Sequence, residues 1–342
     1  MANAKFFGSA RSVRYWLLGA MLVSASWAQG SSPGYPVRPV RLIVPYAPGG
    51  SSDIIARLYG QRLSETLGQQ FVVDNRPGAG GTVGTAILAR SVGDGYTLIL
   101  QDMPHTINPA VYGKLPYDPV RDFTPITLVA RAPQWLFVHP GVRAKTVQDL
   151  ISVAKAQPGK LRIGSAGNGS GTHLMAELLM RGAVIEMTHV PYKGAGPAVA
   201  ATVAGEMSAV FTSMPAAVSF VQSGRLRPVG VTTSGRHPSH PEVPTFEESG
   251  VPGMVLHHWF GVLAPAGLPK AVQAKLVREI AAAASHPSIN DSTSRIRATT
   301  VNSSSSVKAA CSSIGPWSST TSTRGRAARG DWCMPSCGIA PP

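Results

Sequence analysis

A chain of 342 residues with 44% hydrophobic content is long enough for about two domains with real cores, and is neither a fibre nor a disordered polymer. Its formal charge of +14 raises nucleic acid as a partner. Between the chain ends, however, the basic residues are scattered without a run or interleaved aromatics, so a modest attraction for small anions is expected and no nucleic acid.

The chain opens on Lys5, Arg11 and Arg14, a stretch of eleven mostly apolar residues from Tyr15 to Ala25, and Ser26-Trp27-Ala28. This is the pattern of a secretory signal peptide, with cleavage expected after Ala28. Eleven residues are too few to span a bilayer, which takes about 20. An exported protein is the expectation.

Alternating strand and helix follow. Strands are predicted near 40–45, 70–74 and 96–101, with helices near 52–67 and 81–91, and further strands over Thr124–Val129 and Trp135–Val138. A second series then runs helix 146–156, strand 161–165, helix 171–182, strand 185–190, helix 194–203, strand 208–212, helix 214–222 and strand 227–232. A strand at His258–Ala264 and a helix at Pro269–Ala284 close it. Crossings near Pro133–His139 and Leu256–Leu263 predict a discontinuous first lobe, 36–135 plus 257–286, and an inserted second lobe, 136–256. The ligand belongs in the cleft between them, where strand ends meet helix N-termini.

Beyond His286 the periodicity collapses: residues 286–342 hold 19 Ser/Thr and no Glu. A low-complexity tail over 287–342 is expected, or a shifted reading frame, since GC-rich DNA read out of frame yields this composition. Cys311, Cys333 and Cys337 all lie there, an odd number without partners elsewhere, so neither a disulfide framework nor a metal site is expected.

Three glycine-rich stretches sit at strand-to-helix junctions: APGGSSD (Ala47–Asp53), NRPGAGGTVG (Asn75–Gly84) and SAGNGSGTHL (Ser165–Leu174). Such junctions aim bare backbone N–H groups at a small anion. Their glycines do not complete the dinucleotide pattern G-x-G-x-x-G, no P-loop occurs, and H-E-x-x-H is absent. No cofactor is expected, and a binder fits better than a catalyst. The enzymatic alternative is a secreted α/β hydrolase or transferase using the loops as an oxyanion or phosphate site.

Ser51 and Ser52 offer hydroxyls and a helix start, with free N–H groups behind them. Asp53 either caps that helix or orients a ligand ammonium or a water. Asn168, Ser170 and Thr172 supply donors on the opposite wall. Arg76 either clamps a carboxylate or ties down loop carbonyls, and His173 either bonds locally or meets the ligand. Tyr46 and Trp259 either wall the cleft or pack the hinge.

The ordered segments YPVRPVRLIVPYAPGGSSDIIARL, FVVDNRPGAGGTVG, DGYTL, FTPITLV, GKLRIGSAGNGSGTHL, HVPYKGAGPAV, GRLRPVGVTT and PTFEESGVPG resemble the Bug family over about residues 36–288. These are the TctC-like periplasmic solute-binding receptors of tripartite tricarboxylate transporters. The resemblance implies a type II periplasmic-binding-protein fold, with two α/β lobes joined by two crossing strands. It also implies a small carboxylate ligand (a di- or tricarboxylate, an acidic amino acid or an aromatic acid) passed to membrane permease subunits, or read by a sensor kinase. By the same resemblance the ligand meets Pro48, Gly49, Gly50, Ser51, Ser52 and Asp53, the stretch from Ala166 through Gly169 to His173, and Tyr192 and Lys193. At Thr212, relatives often carry an acidic or amide residue.

Overall fold

The computed structural model describes residues 34–286 and Ile289. The expected leader, the three cysteines and the expected tail, Ile289 aside, lie outside the described residues.

The strands are β1 (Val40–Val44), β2 (Phe71–Asn75), β3 (Thr97–Asp102), β4 (Phe123–Pro133), β5 (Trp135–Val138), β6 (Arg162–Ser165), β7 (Thr188–Pro191), β8 (Ala209–Thr212), β9 (Arg227–Val231) and β10 (His257–Pro265). The helices are α1 (Ser51–Leu67), α2 (Thr82–Ala89), α3 (Pro104–Val111), α4 (Val147–Ala156), α5 (Gly171–Ala183), α6 (Ala195–Val203), α7 (Met214–Gln222) and α8 (Lys270–Ala284). A short 3-10 turn, Ala79–Gly81, precedes α2.

These strands form two five-stranded sheets, β2-β1-β3-β10-β4 and β7-β6-β8-β5-β9. The two share one plan. In each, three strands run parallel, and a fourth, β10 or β5, enters antiparallel beside them. The two α/β lobes of a type II binding-protein fold follow from that plan.

Burial explains why the strands are continuously apolar. Trp135 and Phe137 of β5 pack into one core with Val210 and Met214, while the intervening Leu136 and Val138 pack into another with Ile163 and Met175. A strand covered by helices on both faces has no polar side. β1 repeats the arrangement: Leu42 and Val44 face α1 and α8, and Ile43 faces the opposite core with Leu88 and Ile99. Ile289, within the expected tail, is buried in the core of the first sheet. Gly60 lets α1 lie close on the sheet, because a Cβ there would sit 3.3 Å from the Phe71 carbonyl oxygen.

No helix was expected where α3 lies, and its two prolines are the reason. Pro104 occupies the first helical position, where a missing N–H costs nothing, and Pro109 removes only one bond from a short helix. β7 begins at Thr188, three residues later than the strand predicted from 185.

The chain leaves the first sheet after Pro133 and enters the second at Trp135. It returns after Leu256 to begin β10. Thr232 ties both crossings together: its hydroxyl accepts from Gln134 N at 2.9 Å and donates to the Leu256 carbonyl at 2.6 Å, and its own N–H donates to the Gln134 carbonyl at 3.0 Å. Thr232 is buried, so Thr232→Val strands the Gln134 N–H away from water. The expected loss is about 2 kcal/mol of stability, read by urea unfolding.

Candidate functional site

At the end of β1 the loop turns through Gly49 (φ +87°), a left-handed conformation open to glycine, and α1 begins at Ser51, after Gly50. No side chain caps α1 at Gly50. The first-turn N–H groups of Ser51, Ser52 and Asp53 therefore have no helical partner and carry the positive end of the helix dipole.

The second sheet presents the matching wall. β6 ends at Ser165, and α5 starts after Ser170, whose hydroxyl accepts from His173 N at 3.2 Å. The Thr172 hydroxyl accepts from Ala166 N at 2.9 Å and holds the loop against the helix. Two more helix starts stand beside them: α7 after Ser213 and α6 after Gly194, neither with a side-chain cap.

The two walls touch. Ser51 and Ser213 share a 2.6 Å hydroxyl bond, Ala47 N donates to the Lys193 carbonyl at 2.8 Å, and Tyr112 donates to the Asn168 carbonyl at 2.7 Å. Between the walls lies a cavity of about 30 Å3. Tyr46, Gly50, Ser51, Ser52 and Asp53 line it from the first sheet, and Ala166, Ser170 and Thr172 from the second.

The other residues singled out in the sequence sit around this cavity and do not line it. Pro48 and Gly49 face Gly196 across the lobe contact. Lys193 and Asn168 contribute carbonyls to the bonds between the walls, and Tyr192 packs among the apolar residues beneath β8. Gly169 N donates to Nδ1 of His173, whose ring stacks on His189 at 4.1 Å and pairs with Glu177 at 3.6 Å. Arg76 is half exposed and committed to Asp74, with Nε 3.0 Å from a carboxylate oxygen. Trp259 packs into the core of the second sheet.

The cavity also holds residues that the sequence reading did not assign to it: Asp102, Gln134, His258 and Phe260, with Thr212 and Ala195. Asp102 closes β3 at the carboxyl end of the parallel strands, the end where α/β sheets place ligands, and that rule was the available signal. His258 and Phe260 lie on the same face of β10, two residues apart, while Trp259 between them faces away.

Buried charge in the cavity is paired within the protein. Burial pushes the Asp53 carboxyl up, yet bonds from Arg57, Gly49 N and Asn75, with the Arg57 charge, outweigh it and hold the group below the usual carboxylate range. Tyr46 donates to Asp102 Oδ1 at 2.9 Å, and Ser52 donates to Oδ2 at 3.3 Å. Burial, then the charge of Asp102 and the hydrogen bond to it, push the Tyr46 hydroxyl far above its ordinary value, so it stays a donor. His258 Nε2 lies 3.1 Å from Asp102 Oδ2. Among the described residues, no group of three or more His, Cys, Asp or Glu is placed to hold a metal ion.

Outside the cavity, burial and then the neighbouring His173 lower His189 from 6.5 to about 4, and burial also lowers His105 and His257. A histidine held neutral in the folded state binds its proton sooner when unfolded. Stability is therefore full above about pH 6.5 and falls as pH drops towards about 4. Melting temperatures between pH 7 and 4 will show this slope, and His189→Gln will flatten part of it.

The family model for the tripartite tricarboxylate transporter family receptor matches residues 55–309. BugT of Bordetella pertussis (strain Tohama I) is 38% identical over 269 residues, which cover 77% of this chain and 82% of BugT. The R. palustris protein Rpa4515, solved with adipate, superposes with a TM-score of 0.72 at 38% identity, over 75% of this chain and 86% of that one. MatC from Rhodopseudomonas palustris, solved with bound malate, gives a TM-score of 0.73 at 33% identity, over 76% and 89% of the two chains. The chain belongs to the tripartite tricarboxylate transporter receptor family, periplasmic solute-binding proteins rather than enzymes.

Proposed function

We propose that this protein captures a small organic carboxylate between its two lobes and delivers it to the membrane permease subunits of a tripartite tricarboxylate transporter. The observation that carries this reading is the convergence of the starts of α1 and α5, one from each sheet, on a single buried cavity. The N–H groups left free at these starts, Ser51–Asp53 of α1 and Gly171–Thr172 of α5, are aligned with the helix dipoles and suit a carboxylate oxygen without recognising the carbon skeleton. The adipate in Rpa4515 and the malate in MatC are acids of this class.

In this reading the lobes are 36–135 with 257–286, and 136–256, and the leader is removed after Ala28. Ser51, Ser52, Asp53, Gly171 and Thr172 offer backbone donors, while Ser170 and Thr172 fix the opposing loop. A di- or tricarboxylate, an acidic amino acid or an aromatic acid exceeds a cavity of about 30 Å3, which has room for about two waters. Loading therefore requires the lobes to part and then to close around the ligand with more room between the walls than they leave here.

A thermal-shift screen of mono-, di- and tricarboxylates, aromatic acids and acidic amino acids, followed by calorimetry, tests the reading. At least one acid is expected to bind one-to-one and raise the melting temperature, and NMR will recover it unchanged. Absence of binding across the panel, or release of a chemically altered product, overturns it.

A further inference from the structure

Three groups bond the Asp102 carboxylate in the cavity, and their geometry places a proton on Nε2 of His258. Tyr46 and Ser52 each have an O–H to give, and both give it to Asp102. The carboxylate is thereby the acceptor. Nε2 of His258, 3.1 Å from Oδ2, completes the set only as an N–H donor, because an unprotonated nitrogen there would set lone pair against lone pair. In the neutral ring Nδ1 then carries a lone pair.

That lone pair has no partner. His258 is 6% exposed, and its Nδ1 has no hydrogen-bond partner among the described residues, although the residue lines the cavity. The ring lies against the start of α5, where a Cβ on Gly171 would come within 2.9 Å of Nδ1. Only glycine leaves the ring in place there. Thr212, 1% exposed and on the opposite wall of the cavity, likewise has a hydroxyl with no partner among the described residues. A buried acceptor left unsatisfied is costly, and a ligand that supplies a donor recovers that cost.

We propose that His258, held in its Nε2–H form by Asp102, is a specificity-determining residue that selects acids carrying a hydroxyl or amino group over the same acids without one. The inference rests on the carboxylate-receptor reading. The helix starts take the carboxylate, His258 Nδ1 accepts the O–H or N–H of the substituent, and Thr212 is free to bond the substituent's oxygen or a second carboxylate. An acid lacking the substituent leaves Nδ1 orphaned in the closed cavity. Discrimination of this kind is asymmetric: a site built around a polar group rejects the analogue lacking it more strongly than an apolar pocket rejects an added hydroxyl.

Calorimetry on matched pairs tests it: succinate with malate, glutarate with 2-hydroxyglutarate, and adipate with 3-hydroxyadipate, each hydroxy acid as separate enantiomers. The hydroxy member of at least one pair is expected to bind roughly 10- to 100-fold tighter. His258→Phe will level that pair, and His258→Gln, which can still donate to Asp102 and accept from the ligand, will keep part of the preference. Equal affinity within every pair that binds, or a preference that survives in His258→Phe, overturns the proposal while leaving the carboxylate reading standing. Failure of every acid to bind removes both. Should His258→Phe not fold, nitrogen-15 NMR of the wild-type imidazole decides alone. The expected result is an unprotonated Nδ1 whose resonance shifts on addition of the hydroxy acid, and a protonated or unmoved Nδ1 overturns the proposal.

Discussion

Replacing Gly196 with alanine will weaken acid binding about 100-fold while leaving the melting temperature of the ligand-free protein nearly unchanged. Gly196 lies in the first turn of α6, and a Cβ on it would sit 2.3 Å from the Pro48 carbonyl oxygen and 2.9 Å from the Gly49 carbonyl carbon. Both atoms are backbone and belong to the loop before α1, in the other lobe. They cannot swing aside as a side-chain end could. Gly196 is not in the left-handed region, so alanine strains nothing within its own helix and, if anything, favours it. The clash exists only where the lobes meet, and the substitution therefore penalises the closed arrangement alone. Holding the walls apart also forfeits the Ser51–Ser213 bond of 2.6 Å and the Ala47–Lys193 bond of 2.8 Å. Apparent affinity falls in proportion to the population of the closed form, so a bias of about 3 kcal/mol gives the stated loss. Calorimetry reads the affinity and small-angle scattering reads the closure. Unchanged affinity in Gly196→Ala would mean that ligand binding does not need this contact.

Asp53→Ala is expected to cost about 3 kcal/mol of stability and to abolish measurable acid binding. Asp53 looks in sequence like a cap or a ligand contact, but the structure shows a carboxylate already fully engaged. Gly49 N donates to Oδ2 at 3.1 Å, Asn75 donates to Oδ1 at 3.0 Å, and Arg57 reaches Oδ2 through Nε at 3.0 Å. The Asn75 amide also donates to the Tyr46 carbonyl at 3.0 Å, so the same network holds the whole loop from Tyr46 to Asp53. Removing the carboxylate leaves a loop N–H and a side-chain amide short of partners, each costing about 1–3 kcal/mol where water is excluded. The Arg57 contribution is smaller, because that guanidinium is 55% exposed and solvent screens it. Loss of binding follows from loss of position, since the uncapped N–H groups that face the cavity ride on this loop. Asp53→Asn keeps one acceptor and is expected to fall between the two. Chemical unfolding and calorimetry on the pair of variants measure both effects; a stable Asp53→Ala protein with native affinity would show that the network positions nothing.

The glycine junctions were legible in the sequence because their signal is local: an apolar strand, a turn needing positive φ, and a helix start within about ten residues. Ala47–Asp53 and Ser165–Leu174 could be marked from that pattern, and the structure brings their inner members to one cavity. Asp102 and His258 were not legible as a pair. They meet because β10 runs antiparallel to β3 with Phe260 opposite Asp102, a register set by contacts 156 residues apart in the chain. A one-residue slip would turn His258 away from the cavity, and nothing near either residue announces the pairing. Arg76 illustrates the converse. Its neighbourhood left open a carboxylate clamp or a tie to loop carbonyls, but Asp74 two residues earlier points to the same side of the chain and takes the guanidinium first. Thr232 was read only as the end of a strand, and its part in joining both crossings depends on Gln134 and Leu256 arriving together.

In the proposed function, backbone amides at the starts of α1 and α5 hold the acid between the lobes. A crystal structure of the full chain with the tightest acid from the binding screen tests it most directly. Carboxylate oxygens are expected within about 3.2 Å of N–H groups at Ser51–Asp53 and at Gly171–Thr172. An acid bound away from both helix starts would contradict it.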